Sequence, residues 1–99
     1  MDISATELKN RLNQKDSLIL IDVREKIEFY TFNIGGHNIP LKRLLSEVND
    51  LGYNKDQEFV VICQHGIRSE TARNLLTQNG FTDVKNLTGG LLAWQRAEL

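Results

Sequence analysis

The sequence predicts an α/β domain in which a parallel sheet is covered by helices on both faces. Segments typical of strands, such as the apolar run 18–21 and the mostly apolar segment 58–63, alternate along the chain with segments whose apolar residues recur at three and four positions. The strand at 18–21 is continuously apolar, which is typical of strands covered on both faces. Strands joined by helical crossovers run parallel, so this alternation favours one parallel sheet.

The first half of the chain is expected to hold three strands and three helices. Ser4 is followed three residues later by Glu7, the spacing of a capping box at a helix start. Residues 26–32 also allow a strand, but their position between two parallel strands favours a short helix. The predicted elements are a brief edge strand at Ile3, a helix at 4–14, a strand at 18–21, a short helix at 26–32, a short strand at 37–39 and a helix at 41–50.

The second half is expected to hold two strands and two helices. Ser69 is predicted to be the N-cap of a helix, with Glu70 in its first turn where a carboxylate favours the helix dipole. Gly80 stands where a left-handed residue would end that helix, and Phe81 can pack back on it. The predicted elements are a strand at 58–63, the helix that Ser69 opens, a strand at 84–87 and a final short helix at 91–94.

Length and composition predict one domain over residues 1–99. The net charge is -1, so no strongly basic face indicates nucleic acid as a partner. A single cysteine excludes an internal disulfide and any metal site built from several thiolates, and it fits a reducing cytoplasmic setting. No apolar stretch approaches the ~20 residues of a membrane span, and the start of the chain does not resemble a signal peptide. We expect a cytoplasmic monomer that binds neither membrane nor nucleic acid.

The only cysteine lies where a strand, a glycine-containing loop and a helix meet. Cys63 ends the apolar run, five residues that include Gly66 follow, and Ser69 opens the next helix. Such a junction forms an anion site from backbone N–H groups and the helix dipole. A thiolate there would be stabilised as a nucleophile, whereas the same cysteine without this loop would be read as a small buried apolar residue.

Two charged residues are predicted to lie near this loop. Asp22 and Arg24 follow the strand at 18–21, and Cys63 ends another strand. In parallel sheets of this class, ligands bind beyond the carboxyl ends of the strands. Both strand ends should therefore meet at one rim of the sheet, with the nucleophile and the two charges near each other.

Three motifs in this order resemble the rhodanese family. They are Asp22-Val23-Arg24-Glu25 after a strand, Cys-x-x-Gly-x-Arg at 63–68, and Gly89-Gly90 followed by Ala93-Trp94. The resemblance covers nearly the whole chain and implies the rhodanese-like fold, a five-stranded, mostly parallel sheet with helices on both faces. It also implies a sulfurtransferase in which Cys63 carries a sulfane sulfur as a persulfide.

The resemblance also suggests a role for each site residue. The persulfide would be bound by the loop residues Gln64, His65, Gly66, Ile67, Arg68 and Ser69. Arg68 could hold the sulfonate end of a donor or brace the loop, while Asp22, Arg24 and Glu25 would support the loop from behind. No metal or cofactor is expected besides the covalent persulfide. With no second cysteine, the sulfur donor and the thiol or cyanide acceptor would both come from outside, the donor being a small molecule or a protein.

Departures from the motifs keep alternatives open. Phosphatases and arsenate reductases of the same fold use five residues between Cys and Arg, whereas this chain has four, and Ile62 stands where phosphatases usually have His. Both differences favour sulfur over phosphate. Gln64 replaces the arginine of many thiosulfate-using members, which puts thiosulfate as donor in question. A non-catalytic binding or regulatory module is the remaining alternative, although such a module has no physical need for Cys63, Gly66 and Arg68.

Overall fold

The computed structural model describes residues 2–97, in which strands and helices alternate. The strands are β1 (Asp2–Ile3), β2 (Ile19–Asp22), β3 (His37–Asn38), β4 (Phe59–Ile62) and β5 (Val84–Leu87). The helices are α1 (Ala5–Asn13), α2 (Lys26–Thr31), α3 (Leu44–Leu51), α4 (Ile67–Gln78) and α5 (Gly90–Arg96), and a 3-10 turn at Leu41–Arg43 leads directly into α3.

The five strands form one sheet in the order β1-β5-β4-β2-β3, and every neighbouring pair is parallel. The central strand β4 is buried along its whole length. It pairs with β2 so that Asp22 lies opposite Ile62, the residue before Cys63. Because parallel strands end at the same edge, the ends of β2 and β4 bring Asp22 and Cys63 to one rim of the sheet, as predicted.

Helices cover both faces of the sheet, and the side chains of β4 alternate between them. Phe59 and Val61 belong to an apolar cluster with residues of α3 and α4, and this cluster also contains Cys63. Val60 and Ile62 belong to a second cluster with residues of α1 and α5. The predicted α/β fold with a covered parallel sheet is therefore confirmed.

The structure corrects two helix starts. The helix after Cys63 begins at Ile67, with Gly66 rather than Ser69 as its N-cap. Ser69 lies inside the first turn, where its buried side chain contacts Cys63 instead of capping the helix. The segment predicted as one helix over 41–50 begins with a 3-10 turn and becomes α-helical only at Leu44. A proline at position 40 has no N–H to donate, and it immediately precedes this tight first turn.

The helices within residues 2–97 are short. The longest of them, α4, has 12 residues, whereas about 20 apolar residues are needed to cross the hydrocarbon core of a bilayer. None of these helices is long and apolar enough for that role.

Candidate active site

The sulfur of Cys63 lies beneath the loop that joins β4 to α4. Cys63 is 1% exposed. The backbone N–H of Gly66 donates to Sγ at 3.0 Å, and that of Ser69 donates at 3.3 Å. The Ser69 hydroxyl lies 3.2 Å from the same atom. The thiol is thus recessed, and backbone donors of the loop point at it.

The loop has the backbone shape and the donors of an anion-binding loop. Gly66 has φ +92°, and a Cβ there would lie 3.1 Å from the backbone nitrogen of Gly89, so a larger residue would be strained. The dipole of α4 begins at this point and favours negative charge. Four more N–H groups of the loop have no acceptor within residues 2–97, namely those of Gln64, His65, Ile67 and Arg68. The loop therefore has donors to offer a negatively charged sulfur.

The start of α5 holds the loop from the other side. The N–H of Leu91 donates to the Cys63 carbonyl at 2.9 Å, and the N–H of Leu92 donates to the Gln64 carbonyl at 3.1 Å. A Cβ on Gly90 would lie 2.5 Å from both carbonyl oxygens. Glycine at this position lets the two backbones approach closely, which explains physically why α5 begins with a glycine.

Asn86 belongs to the site although no sequence motif indicates it. It lies on β5, is 5% exposed, and its Oδ1 accepts a short hydrogen bond from the Ser69 hydroxyl. Its Nδ2 donates to the Gly66 carbonyl at 3.1 Å. The one available signal was an amide side chain within the predicted strand at 84–87, since a polar side chain that a strand buries requires partners.

Arg68 braces two helices. Its guanidinium forms two hydrogen bonds with the Glu28 carboxylate of α2, at 2.7 and 2.9 Å. These bonds lower the pKa of Glu28 to about 2, and they also raise the pKa of Arg68. Of the two roles expected for Arg68, the contacts match bracing. Glu28 was not predicted, because 40 positions separate it from Arg68 and no local pattern links the two.

Asp22 and Arg24 form a buried ion pair at the end of β2. Arg24 Nη2 lies 2.9 Å from Asp22 Oδ2, and the two side chains are 3% and 1% exposed. The same Nη2 donates to the Phe32 carbonyl at 2.6 Å, which ties the end of α2 to the sheet. The expected network at this rim therefore exists. Glu25 is exposed, and its N–H donates to the Glu28 carboxylate, which is the partner of Arg68, so its expected role behind the loop stays a prediction.

The two residues after Cys63 line separate depressions on the surface. Gln64 lines a pocket of about 340 Å³ together with side chains of α2, among them Ile27 and Glu28. His65 is exposed and lines a groove of about 550 Å³ between α1 and α5. Neither side chain makes a hydrogen bond to Cys63 within residues 2–97. In the same part of the chain, no three His, Cys, Asp or Glu side chains come together as metal ligands.

Comparison with known proteins shows that one protein family has this fold. A family model described as a rhodanese-like domain matches residues 4–97. The crystal structure of a rhodanese-like domain protein from Staphylococcus aureus superposes with a TM-score of 0.84 at 30% identity, covering 95% of this chain and 91% of that one.

Two curated relatives show how length varies among the matches. An uncharacterized protein of Synechocystis is 36% identical over 96 residues, which is 96% of this chain but 52% of the relative. A thiosulfate sulfurtransferase of Pseudoalteromonas translucida is 31% identical over 90 residues, covering 87% of this chain and 81% of the relative. The chain thus spans about half the length of the first relative and most of the second.

Proposed function

Because the chain belongs to the family of rhodanese-like domains, we propose that it is a sulfurtransferase that carries a sulfane sulfur as a persulfide on Cys63. The observation that carries this proposal is the pair of backbone N–H groups, from Gly66 and Ser69, directed at the cysteine sulfur. The similarity to a protein named as a thiosulfate sulfurtransferase supports the same reaction class. The proposal includes a donor such as thiosulfate or a protein persulfide, an external thiol or cyanide acceptor, and a monomer in the cytoplasm.

The reaction has two balanced steps. The Cys63 thiolate attacks the outer sulfur of thiosulfate, the S–S bond of thiosulfate breaks, and sulfite leaves with the electron pair. The product is a persulfide, which carries its negative charge on the terminal sulfur. In the second step an acceptor thiolate or cyanide attacks that terminal sulfur, and the Cys63 thiolate leaves. Because the chain has one cysteine, no internal thiol can resolve the persulfide.

Uncharged hydrogen-bond donors suit the persulfide intermediate. A persulfide anion gains from N–H groups around its terminal sulfur, and backbone amides supply them without transferring a proton. The loop offers N–H groups without acceptors within residues 2–97, at the start of a helix whose dipole favours negative charge. A carrier of this kind also needs its cysteine held at a fixed place, which the contacts of α4 and α5 with the loop provide.

The hydrogen bonds of Arg68 argue against a phosphatase. In a phosphatase, the arginine that ends the loop would bind oxygens of the substrate, whereas both terminal nitrogens of Arg68 bind Glu28. The loop is also one residue shorter than the loops of phosphatases of this fold, with four residues between Cys63 and Arg68. Sulfur transfer therefore remains the better proposal for this site.

The decisive experiment is intact-mass measurement after incubation with thiosulfate, mercaptopyruvate and a protein persulfide in parallel. We expect the protein to gain the mass of one sulfur atom from at least one of these donors. Treatment with cyanide should remove that mass and release thiocyanate. The ranking of the three donors would identify the preferred one.

Cys63→Ser is the matched control and should gain no sulfur from any donor. A wild-type protein that stays unmodified with all three donors would refute the proposal. An assay with a small aryl phosphate runs beside it, and we expect no turnover. Substantial phosphatase activity that Cys63→Ser abolishes would instead favour the phosphatase alternative.

A further inference from the structure

We propose that Asn86 is a positioning residue that fixes the direction of the Ser69 hydroxyl and thereby withholds this hydroxyl as a donor from the Cys63 sulfur. The inference deepens the proposed function and rests on it for its biological meaning. Its chemistry concerns only four groups in contact: the thiol, the hydroxyl, the Asn86 amide and the Gly66 carbonyl.

The orientation of the Asn86 amide follows from its two neighbours. One end of the amide lies 3.1 Å from the Gly66 carbonyl oxygen, which can only accept. The NH₂ end must therefore face Gly66, and the oxygen end must face Ser69. The reversed amide would place two carbonyl oxygens against each other in a buried site, because Asn86 is 5% exposed and Gly66 is buried.

The amide orientation in turn fixes the hydroxyl. Asn86 Oδ1 can only accept, so Ser69 donates its single hydroxyl proton to it. The Ser69 oxygen then has only lone pairs left for Cys63 Sγ, 3.2 Å away. A neutral thiol suits this arrangement because its S–H can donate to Ser69. A thiolate does not suit it, because its negative charge would face the lone pairs of the Ser69 oxygen.

Rotation of the hydroxyl towards the sulfur would leave Asn86 Oδ1 as a buried acceptor without a partner, which is unfavourable. The Ser69 hydroxyl therefore disfavours negative charge on Sγ. In the persulfide, the charge lies one atom further out, where the loop amides can act as donors. Asn86 and Ser69 thus favour the loaded cysteine over the bare thiolate.

Charged groups near the sulfur affect the same equilibrium and must stay constant in the test. Arg68 of α4 interacts electrostatically with Cys63, and also with Glu28 of α2 and Asp22 of β2. His65 is the titratable side chain of the loop itself. On β5, Lys85 is bound to Asp83 and Glu58. The two variants that carry the test, Asn86→Leu and Ser69→Ala, leave all of these charges unchanged.

The test is the pH profile of Cys63 alkylation by iodoacetamide, in which the thiolate attacks carbon and iodide leaves. This reaction does not require sulfur transfer, so its outcome is independent of whether the proposed function is correct. Asn86→Leu removes the acceptor and frees the Ser69 hydroxyl to donate to the thiolate. We expect the midpoint of the profile to move down by about one pH unit, the effect of one hydrogen bond to a charged atom.

Asn86→Asp is the control for the lost Gly66 contact: it also loses the NH₂ group but keeps an acceptor for Ser69, and the negative charge that it adds also disfavours the thiolate. The midpoint should therefore not fall in this variant. If both variants lower the midpoint equally, the loss of the Gly66 contact is the cause and the proposal is wrong.

Ser69→Ala tests the direction of the hydroxyl even if Asn86→Leu does not fold. Removal of an oxygen that faces the thiolate with lone pairs should lower the midpoint, whereas removal of a donor should raise it. In the Ser69→Ala background, Asn86→Leu should cause no further shift. A raised midpoint in Ser69→Ala would overturn the inference. So would a double variant in which Asn86→Leu lowers the midpoint as much as it does when Ser69 is present.

Discussion

The hydrogen bonds to the Cys63 sulfur come from uncharged groups of Gly66 and Ser69, so the cations near the loop should decide how strongly the site attracts small anions. The cation of the loop, Arg68, forms two hydrogen bonds with Glu28, which partly neutralises its charge. Gln64 lines the adjacent pocket and is neutral. Thiosulfate carries two negative charges, so its affinity should depend strongly on cations at the mouth of the loop.

Gln64→Arg should therefore raise turnover with thiosulfate. We expect kcat/KM to rise several-fold at low ionic strength, because the added cation lies in the pocket beside the loop, and to approach the wild-type value as salt screens the charge. Steady-state kinetics over a range of salt concentrations measure this effect. Gln64→Met, which has similar length and no charge, is the control. A decrease with arginine would show that thiosulfate approaches by another route.

Single residues also show which parts of the site could be predicted from sequence. Cys63, Gly66 and Arg68 lie within six consecutive residues, and this short sequence pattern was enough to identify them. Glu28 and Asn86 reach the site only through folding, from α2 and β5. Nothing in their own sequence neighbourhoods specifies these contacts. The prediction that Ser69 is the N-cap of α4 was wrong for a related reason. Its hydroxyl donates to the buried side chain of Asn86 instead of accepting from the N–H groups of the helix end.

At the scale of elements, a cluster of charges joins α1 to the sheet at the edge opposite the active site. Glu58, directly before β4, binds Arg11 of α1 and Lys85 of β5, the latter at 2.8 Å. The hydrogen bonds with these two cations, of which the bond with Arg11 has the larger effect, lower the pKa of Glu58 to about 2. A partly buried carboxylate with two cationic partners contributes more to stability than an exposed pair does.

Glu58→Gln should lower the free energy of unfolding by about 1–2 kcal/mol at neutral pH, a value reduced for partial solvent screening. Because folding lowers the pKa of Glu58 from 4.5 to about 2, its contribution is present above pH 4.5 and is lost as the pH falls towards 2. Urea unfolding of both proteins across this range measures the difference. Glu47→Gln, which breaks an exposed pair with Arg43, is the control and should cost under about 0.5 kcal/mol.

Sulfur loading should be unchanged in Glu58→Gln, because the residue lies at the far end of β4. A stability difference that stays constant down to pH 2 would show that the charge of Glu58 is not responsible. A difference that grows as the pH falls would contradict the sign of the pKa shift.

The order and type of the elements followed from the sequence, whereas some of their ends did not. Apolar periodicity predicts which segments are helices and strands, since it reflects how each segment is buried. The start of α4 is set instead by Gly66, which has φ +92° and lies so close to Gly89 that an added Cβ would be 3.1 Å from the Gly89 nitrogen. That contact joins residues 23 positions apart and has no local signature.

At the scale of the whole molecule, the sulfur site depends on the docking of the last helix. Gly90→Ala would place a Cβ 2.5 Å from the carbonyl oxygens of Cys63 and Gln64, at a φ of +63°. We expect a loss of about 3 kcal/mol in unfolding free energy, from overlap and backbone strain together, and a loss of sulfur uptake. Urea unfolding and intact-mass measurement test the two effects.

Gly52→Ala is the matched control, because Gly52 has φ +71° and no atom within 4 Å of the added Cβ. It should cost only the strain of a left-handed alanine, about 1–2 kcal/mol, and leave sulfur uptake intact. Equal losses in the two variants would mean that the close approach of α5 to the loop has no energetic importance.

The hydrogen bonds from Leu91 and Leu92 to the loop also have a consequence for biosynthesis. Translation proceeds from the N-terminus, so Cys63 leaves the ribosome before residues 90–96 do. Until those residues arrive, the carbonyls of Cys63 and Gln64 lack the hydrogen bonds that Leu91 and Leu92 donate. The loop around Cys63 therefore gains these two hydrogen bonds only after residues 90–96 have been added to the chain.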